Sequence, residues 1–346
     1  MTQRLTVHVG AMKTGSSAIQ TFLNRNAEVL RRDGIVVPDE NLELVRPVTG
    51  DQVFFFDQRR DKSSQDAGAD ILKRLSLLFS DESVRQVVIS AENLAEPEGV
   101  FARWFEVLGT SYETEVIIYL RRQDNLLISA WQQWFAKVSE DIWDDFWSWL
   151  LTCVGVLGNW QTVLQHWERA VGRERMRVRL YEPRHLIDGD VVDDFRQYLL
   201  MTDEQQLAAN GHRVNASFCE AIVDLVPGGG FFRGAHDDAF YLFLEWMLGD
   251  TCHRRPHESP ITYRQRLAIL ERYAESNRWV RANYFDGQDL PETLFDMPTP
   301  EQYRKPTREE LTREQLQIMG RLVFEVGKVQ FRSMMRETPN PEERWW

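Results

Sequence analysis

The sequence predicts an α/β protein with a central parallel sheet and a mainly helical carboxyl-terminal part. Three observations carry this expectation. Short apolar runs recur through the first 183 residues, with stretches of helical periodicity between them. A glycine-bearing turn joins the first such run to the first helical stretch. Beyond residue 187 strand-like runs give way to helical patterns.

Residues 4–9, RLTVHV, are short and β-branched-rich, as a strand entering a sheet is. From Ser17 to Arg32, apolar Ile19, Phe22, Leu23, Ala27 and Leu30 fall at helical spacing. DGIVVP (33–38) reads as a turn and a second strand closed by Pro38, and residues 70–79 read as a helix. VRQVVIS (84–90) and TEVIIYL (114–120) are apolar without strict alternation, as parallel strands covered on both faces are. Between them EGVFARWFEVLG (98–109) has the periodicity of a crossover helix. A helix is expected from about Asp124, with Leu127, Ala130, Trp131, Trp134, Phe135 and Val138 as its stripe. RMRVRLYEP (175–183) is a further strand.

The acidic run DGDVVDDF (188–195) reads as a solvated helix start. VPGGGFFRG (226–234) reads as a loop or a lid. Thr307 with Glu310, and Thr312 with Gln315, form two overlapping candidate capping boxes. The ending ETPNPEERWW reads as a tail or surface clasp. The expectation is one domain, with a core at 1–187, a helical part at 188–336 and a tail at 337–346.

Composition narrows the function. A net charge of −12 over 346 residues opposes a general nucleic-acid binder, which needs a basic footprint. A local anion site needs only a cluster of donors and cations. No apolar run reaches the ~20 residues that span a bilayer, and MTQRLTVHVG lacks the apolar stretch of a signal peptide. Three scattered cysteines do not form a disulfide framework. A cytoplasmic setting is therefore expected.

HVGAMKTGSSAIQ (8–20) contains Gly10-x-x-x-x-Gly15 followed by Ser16 and Ser17. That is a Walker A loop with serine where lysine belongs, and the lysine stands three residues earlier, at Lys13. Glycine at 10 and 15 lets the backbone turn tightly, and the amides from Gly10 to Ser17, with the helix start, form an anion cradle. A triphosphate would lose its main cation here.

The run Lys13-Thr14-Gly15-Ser16-Ser17 resembles the 5′-phosphosulfate loop of the sulfotransferases, most closely bacterial ones of the K-T-G-[TS]-[TS] type. The resemblance covers about a third of the chain. It implies a P-loop-like three-layer sandwich. It implies a sulfuryl donor, 3′-phosphoadenosine 5′-phosphosulfate (PAPS), and no metal. Lys13 is then catalytic, while Gly10, Lys13, Thr14, Gly15, Ser16 and Ser17 hold the 5′-phosphate.

YLRRQDNLLISAW (119–131) supplies the family's second pattern, a strand-end arginine and a serine eight residues on, as Arg121 and Ser129. The resemblance assigns them the 3′-phosphate. Arg122 and Gln123 replace the commoner "NP", and the choice between Arg121 and Arg122 stays open. VRLYEP (178–183) resembles the segment whose tyrosine meets the adenine, which makes Tyr181 a binding candidate; a core tyrosine is the other account. Ala18 stands where those enzymes often carry a tryptophan. In HRVNASF (212–218), Arg213 and Ser217 either help hold the 3′-phosphate or start a helix.

Transfer to a hydroxyl, or to an amine, needs a proton acceptor. Glu92, just past a strand, is the first candidate; Asp51 and His8 are alternatives, His8 also fitting a core histidine. The clustered tryptophans fit core packing better than sugar stacking. Cys252, His253 and His257 have a metal-compatible spacing that two arginines and Pro256 oppose. The expected acceptor is a carbohydrate or small molecule. Rival readings are a small-molecule or nucleoside kinase with an aberrant loop, and a non-catalytic nucleotide-binding protein of the same fold.

Overall fold

The computed structural model describes all residues except 1–2, 46–47, 49, 109–110, 136, 138–145, 203–206, 208–217, 227–228, 235–236, 254–256 and 338–346. The chain forms two compact units. The first comprises Met1–Leu127, Cys153–Val214 and Ile269–Met297; the second comprises Ile128–Thr152, Asn215–Ala268 and Pro298–Trp346.

The first unit is an α/β sandwich of three layers. Its strands are β1 (Arg4–Val9), β2 (Ile35–Val36), β3 (Gln86–Ala91), β4 (Glu113–Leu120) and β5 (Met176–Leu180). They pair in parallel in the order β2-β3-β1-β4-β5, the P-loop-like arrangement. Around them lie α1 (Ser16–Arg32), α2 (Val53–Asp57), α3 (Ser64–Leu78), α4 (Val100–Glu106), the start of α5 (Gln123–Ala130), α7 (Trp160–Val171) and α8 (Val191–Arg196), while α6 (Phe146–Cys153) falls almost wholly in the second unit. Of these, α5 and α6 each run across a division between the two units.

Alternation along the strands divides the core. Leu5, Val7 and Val9 of β1 face the layer of α3, α4 and α7. The opposite face of the sheet packs on α1 and α8, through Ile19, Phe22, Leu23, Leu30, Val191 and Phe195. Both faces are covered, which is why β3 and β4 read as unbroken apolar runs. Register aligns the carboxyl ends: Val9 pairs with Ala91, and Leu120 with Leu180.

Several local expectations shift. The helix expected from Asp124 through Val138 is regular only to Ala130 and continues as a π-helical turn, Trp131–Phe135; Val138 lies outside the described residues. The run 188–195 starts a helix capped by the Asp190 carboxylate, but it is not wholly solvated. Asp194 is fully buried, receiving hydrogen bonds from Tyr119 and from the Arg179 guanidinium. Trp131, Trp149, Trp160 and Trp167 are buried, as core packing requires.

The second unit holds α9 (Glu220–Val223), α10 (Ala239–Leu248) and most of α11 (Tyr263–Arg272), and it ends on α13 (Arg308–Glu337). Between these in sequence, α12 (Ala274–Tyr284) belongs with the sheet and packs on α7. Thr307 and Glu310 form the first expected capping box: the Glu310 carboxylate accepts from Thr307 N at 2.8 Å, and Thr307 Oγ1 accepts from Glu310 N at 3.3 Å. Thr312 falls inside the helix and caps nothing. Of the stretch 226–234, positions 227–228 lie outside the described residues, while Phe231 stacks on Phe240. Among the described residues, no helix is long and apolar enough to cross a membrane.

Candidate active site

Four parallel strands deliver residues to one end of the sheet, where such folds gather ligands. Gly10 follows β1, Glu92 follows β3, Arg121 follows β4 and Tyr181 follows β5. The turn from β1 into α1 passes through two left-handed residues, Lys13 (φ 61°) and Gly15 (φ 85°). Glycine adopts that conformation freely; lysine does so at a cost, which local contacts must offset. Alternating handedness of this kind turns successive amides toward a common hollow suited to an anion.

The loop is braced from within. The hydroxyls of Thr14 and Ser16 both donate to the Ala11 carbonyl, at 2.6 and 3.2 Å, and both side chains are buried. Their hydroxyls are thus spent within the loop, which leaves its backbone amides to face outward. Ser17 is half-buried. A Cβ at Gly10 would lie 2.9 Å from Ser16 Oγ and 3.2 Å from the Ala91 carbonyl, so the strand end and the loop touch closely there.

Arg121 reaches this loop. Its guanidinium donates to the Lys13 carbonyl at 2.7 Å and lies 5.8 Å from the centre of the Tyr181 ring. Tyr181 in turn lies against the glycine of the turn, where a Cβ on Gly15 would come within 2.9 Å of the ring. The neighbouring Arg122 is engaged elsewhere. It is buried, forms a two-point pair with Asp124 at 2.7 and 3.1 Å, and donates to the Asp296 carbonyl at 2.8 Å. The structure thus sets Arg121 beside the loop and Arg122 into the interior.

Ser129 is buried on α5, in the second unit. Arg213 and Ser217 lie outside the described residues.

Of the three proton-acceptor candidates, Glu92 stands within electrostatic reach of Lys13, and Asp51 within reach of Glu92. Burial raises the Glu92 carboxyl to about 7, the Lys13 charge pulls it down, and Asp51 pushes it up. Burial also raises Asp51, whose carboxylate accepts from Val53 N at 3.0 Å. Next to it, Gln52 holds the segment against β3: its amide oxygen accepts from Ser90 N at 2.8 Å, and its own N donates to the Ser90 carbonyl at 2.9 Å. His8 is different. It is fully buried in mid-strand, its Nδ1 is 2.8 Å from Ser90 Oγ, and its Nε2 has no partner. Burial drives it to about 3, so it stays neutral in the core.

A cavity of about 270 Å³ opens beside the loop. Its walls include Met12, Glu92, Leu126, Leu157 and Trp160, with Arg60, Glu96 and Glu98 around them. The buried Oδ1 of Asn93, in the same wall, has no partner. Glu96 is also raised to about 7, first by burial and then by its contact with Glu98. Sequence reading missed this wall, because Arg60, residues 95–98 and residues 156–163 converge only in three dimensions. Among the described residues, no group of three or more His, Cys, Asp or Glu side chains could hold a metal ion.

No protein-family model matches the chain, and no curated protein matches it. Among solved structures, the crystal structure of a sulfotransferase from Alicyclobacillus acidocaldarius is similar. The identity is 15% and the TM-score 0.38, over 62% of this chain and 87% of that one.

Proposed function

We propose that this chain is a sulfotransferase that moves the sulfuryl group of PAPS to a hydroxyl (an amine being the less favoured acceptor). One observation carries the reading: the strand-end arginine hydrogen-bonds the loop that bears the displaced lysine. The two patterns lie about a hundred residues apart in sequence, and a kinase would need only the first. Their meeting suits a nucleotide phosphorylated at both ends.

In this reading the Gly10–Ser17 backbone and Gly15 turn cradle the 5′-phosphate, and Tyr181 lies at the nucleoside side. Arg121 grips the 3′-phosphate, with Ser129 and Arg213 as the further ligands the sequence pattern supplies. Glycine at 10 and 15 lets the loop close up: a Cβ at Gly10 would press on Ser16 and the Ala91 carbonyl, and one at Gly15 on Val191 and Tyr181. The acceptor enters by the cavity beside Met12 and Glu92. Its oxygen attacks sulfur as the bond from sulfur to the bridging oxygen breaks, and that oxygen keeps the electron pair. The Lys13 ammonium stabilises the charge developing there, an interaction stronger in the transition state than before it. Glu92 takes the acceptor's proton, and a carboxyl near 7 is well matched to that task. Residues suited to a metal play no part in this scheme.

Thermal shift tests it. Adenosine 3′,5′-bisphosphate should stabilise the protein more than ADP does, without added magnesium. Equal shifts, or a shift only with ATP and magnesium, would sink the reading in favour of a kinase-like site.

A further inference from the structure

We propose that α13 is a dimerisation helix, pairing antiparallel with the same helix of a second copy of this chain. The helix has 30 residues and is anchored mainly at its start. There Leu311 is buried, Arg308 pairs with Asp224 at 2.6 Å, and Gln315 donates to the Ala221 carbonyl at 3.1 Å. Further along, the outward face is apolar. Leu316 is 64% exposed, Met319 54%, Val323 74%, Phe324 64% and Phe331 62%. A helix apolar on its solvent side as well as its inner side is one that expects more burial than its own chain provides.

The spacing specifies what covers it. Residues 316–322, LQIMGRL, and 323–329, VFEVGKV, are consecutive heptads in register. Leu316 recurs as Val323, Met319 as Val326, Gly320 as Gly327 and Leu322 as Val329. Steps of three and four between Leu316, Met319, Val323 and Val326 make the seam of a helix pair. The glycines add an independent point. Each costs about 1 kcal/mol relative to alanine inside a helix. A Cβ at Gly320 or Gly327 would meet nothing within 4 Å, so packing within the chain does not require either. On the flank of the seam, both let a second helix approach closely.

Area and charge select a second copy. Seven apolar side chains on α13 and three on the adjacent α10 are between 38% and 74% exposed. With rings of roughly 150–250 Å² and smaller aliphatic chains, they offer on the order of 1,000 Å², against ~800 Å² per partner in a standard interface. Residues 308–314 hold three glutamates and two arginines, whereas 321–332 hold two arginines and a lysine against one glutamate. Antiparallel pairing about Val323 sets the acidic first segment of one copy beside the basic second segment of the other. It also opposes the two macrodipoles favourably. Parallel pairing would stack like on like.

Sedimentation and light scattering on the full chain test this. The expected mass is twice 40.7 kDa at micromolar concentration. Val323→Glu should give a monomer with unchanged far-UV circular dichroism. Gly320→Leu should weaken the dimer at least ~10-fold while leaving the monomer no less stable, since leucine favours the helix. A parent chain that stays at 40.7 kDa up to about 100 µM would overturn the proposal. So would a Gly320→Leu protein that dimerises as tightly as the parent, which decides the matter even where Val323→Glu fails to fold.

Discussion

The guanidinium of Arg121 donates a 2.7 Å hydrogen bond to the main-chain carbonyl of Lys13. The next residue, Arg122, turns the other way and is locked to Asp124. These neighbours should therefore respond oppositely to the same substitution. Arg121→Ala should lower affinity for adenosine 3′,5′-bisphosphate about 10- to 100-fold and leave ADP binding little changed. Arg122→Ala removes the two-point cationic partner of the fully buried Asp124 carboxylate and should cost about 3–5 kcal/mol of stability. Calorimetric titration and urea unfolding on both variants read the two effects separately.

Lys13 combines a left-handed backbone with a long cationic side chain. Lys13→Ala should reduce the transfer rate by about 10²–10³-fold, the scale set by losing one transition-state contact. Lys13→Gly should be equally slow yet no less stable than the parent, because glycine relieves the backbone cost. Rate measurements beside melting curves tell whether the ammonium or the loop conformation matters to turnover.

Glu92 predicts a pH profile. A base held at about 7 makes the rate climb through that pH as the carboxyl ionises. Glu92→Gln should remove the limb and most of the activity, and Asp51→Asn should move the limb to lower pH by removing a neighbouring negative charge. Stability has the opposite sense. The folded value lies above the ordinary 4.5, so the fold carries a penalty that is absent below about 4.5 and grows as pH rises through 7. Melting temperatures should accordingly favour Glu92→Gln over the parent at about pH 8 and converge near pH 4–5.

Gly15→Ala meets two obstacles together. The backbone sits at φ 85°, and the new Cβ would lie 2.7 Å from Val191 Cγ1 and 2.9 Å from the Tyr181 ring. A loss of about 1–3 kcal/mol is expected. Chemical denaturation measures it, and a second change, Tyr181→Ala, should recover only the part due to the ring.

The sheet was legible because its strands are covered on both faces and so stand out as apolar runs bounded by turns. The loop was legible because glycine and lysine positions there answer to local backbone geometry. What lay hidden depends on distant contacts. Arg121 and Arg122 are the same residue type at one strand end, and the hold on Arg122 by Asp124 and by the Asp296 carbonyl, 174 residues on, separates their fates. Asp51 reached the vicinity of Glu92 through Gln52 on the Ser90 backbone, a pairing across 38 residues that no local pattern encodes. Asp194 looked like one acid in a solvated run; its burial follows from Arg179 and Tyr119 on strands far away. Ser129 lies on the stretch of α5 assigned to the second unit, and Arg213 lies outside the described residues.

Trp160 stands in the wall of the cavity, and its indole N–H donates to the Arg121 carbonyl at 3.0 Å. One ring therefore lines the cavity and holds the peptide that carries the guanidinium. Any occupant that tilts the indole also tugs that carbonyl, and linkage then runs both ways with equal factors. Crosstalk between donor and acceptor would need no moving domain, only a single tryptophan shared as a party wall.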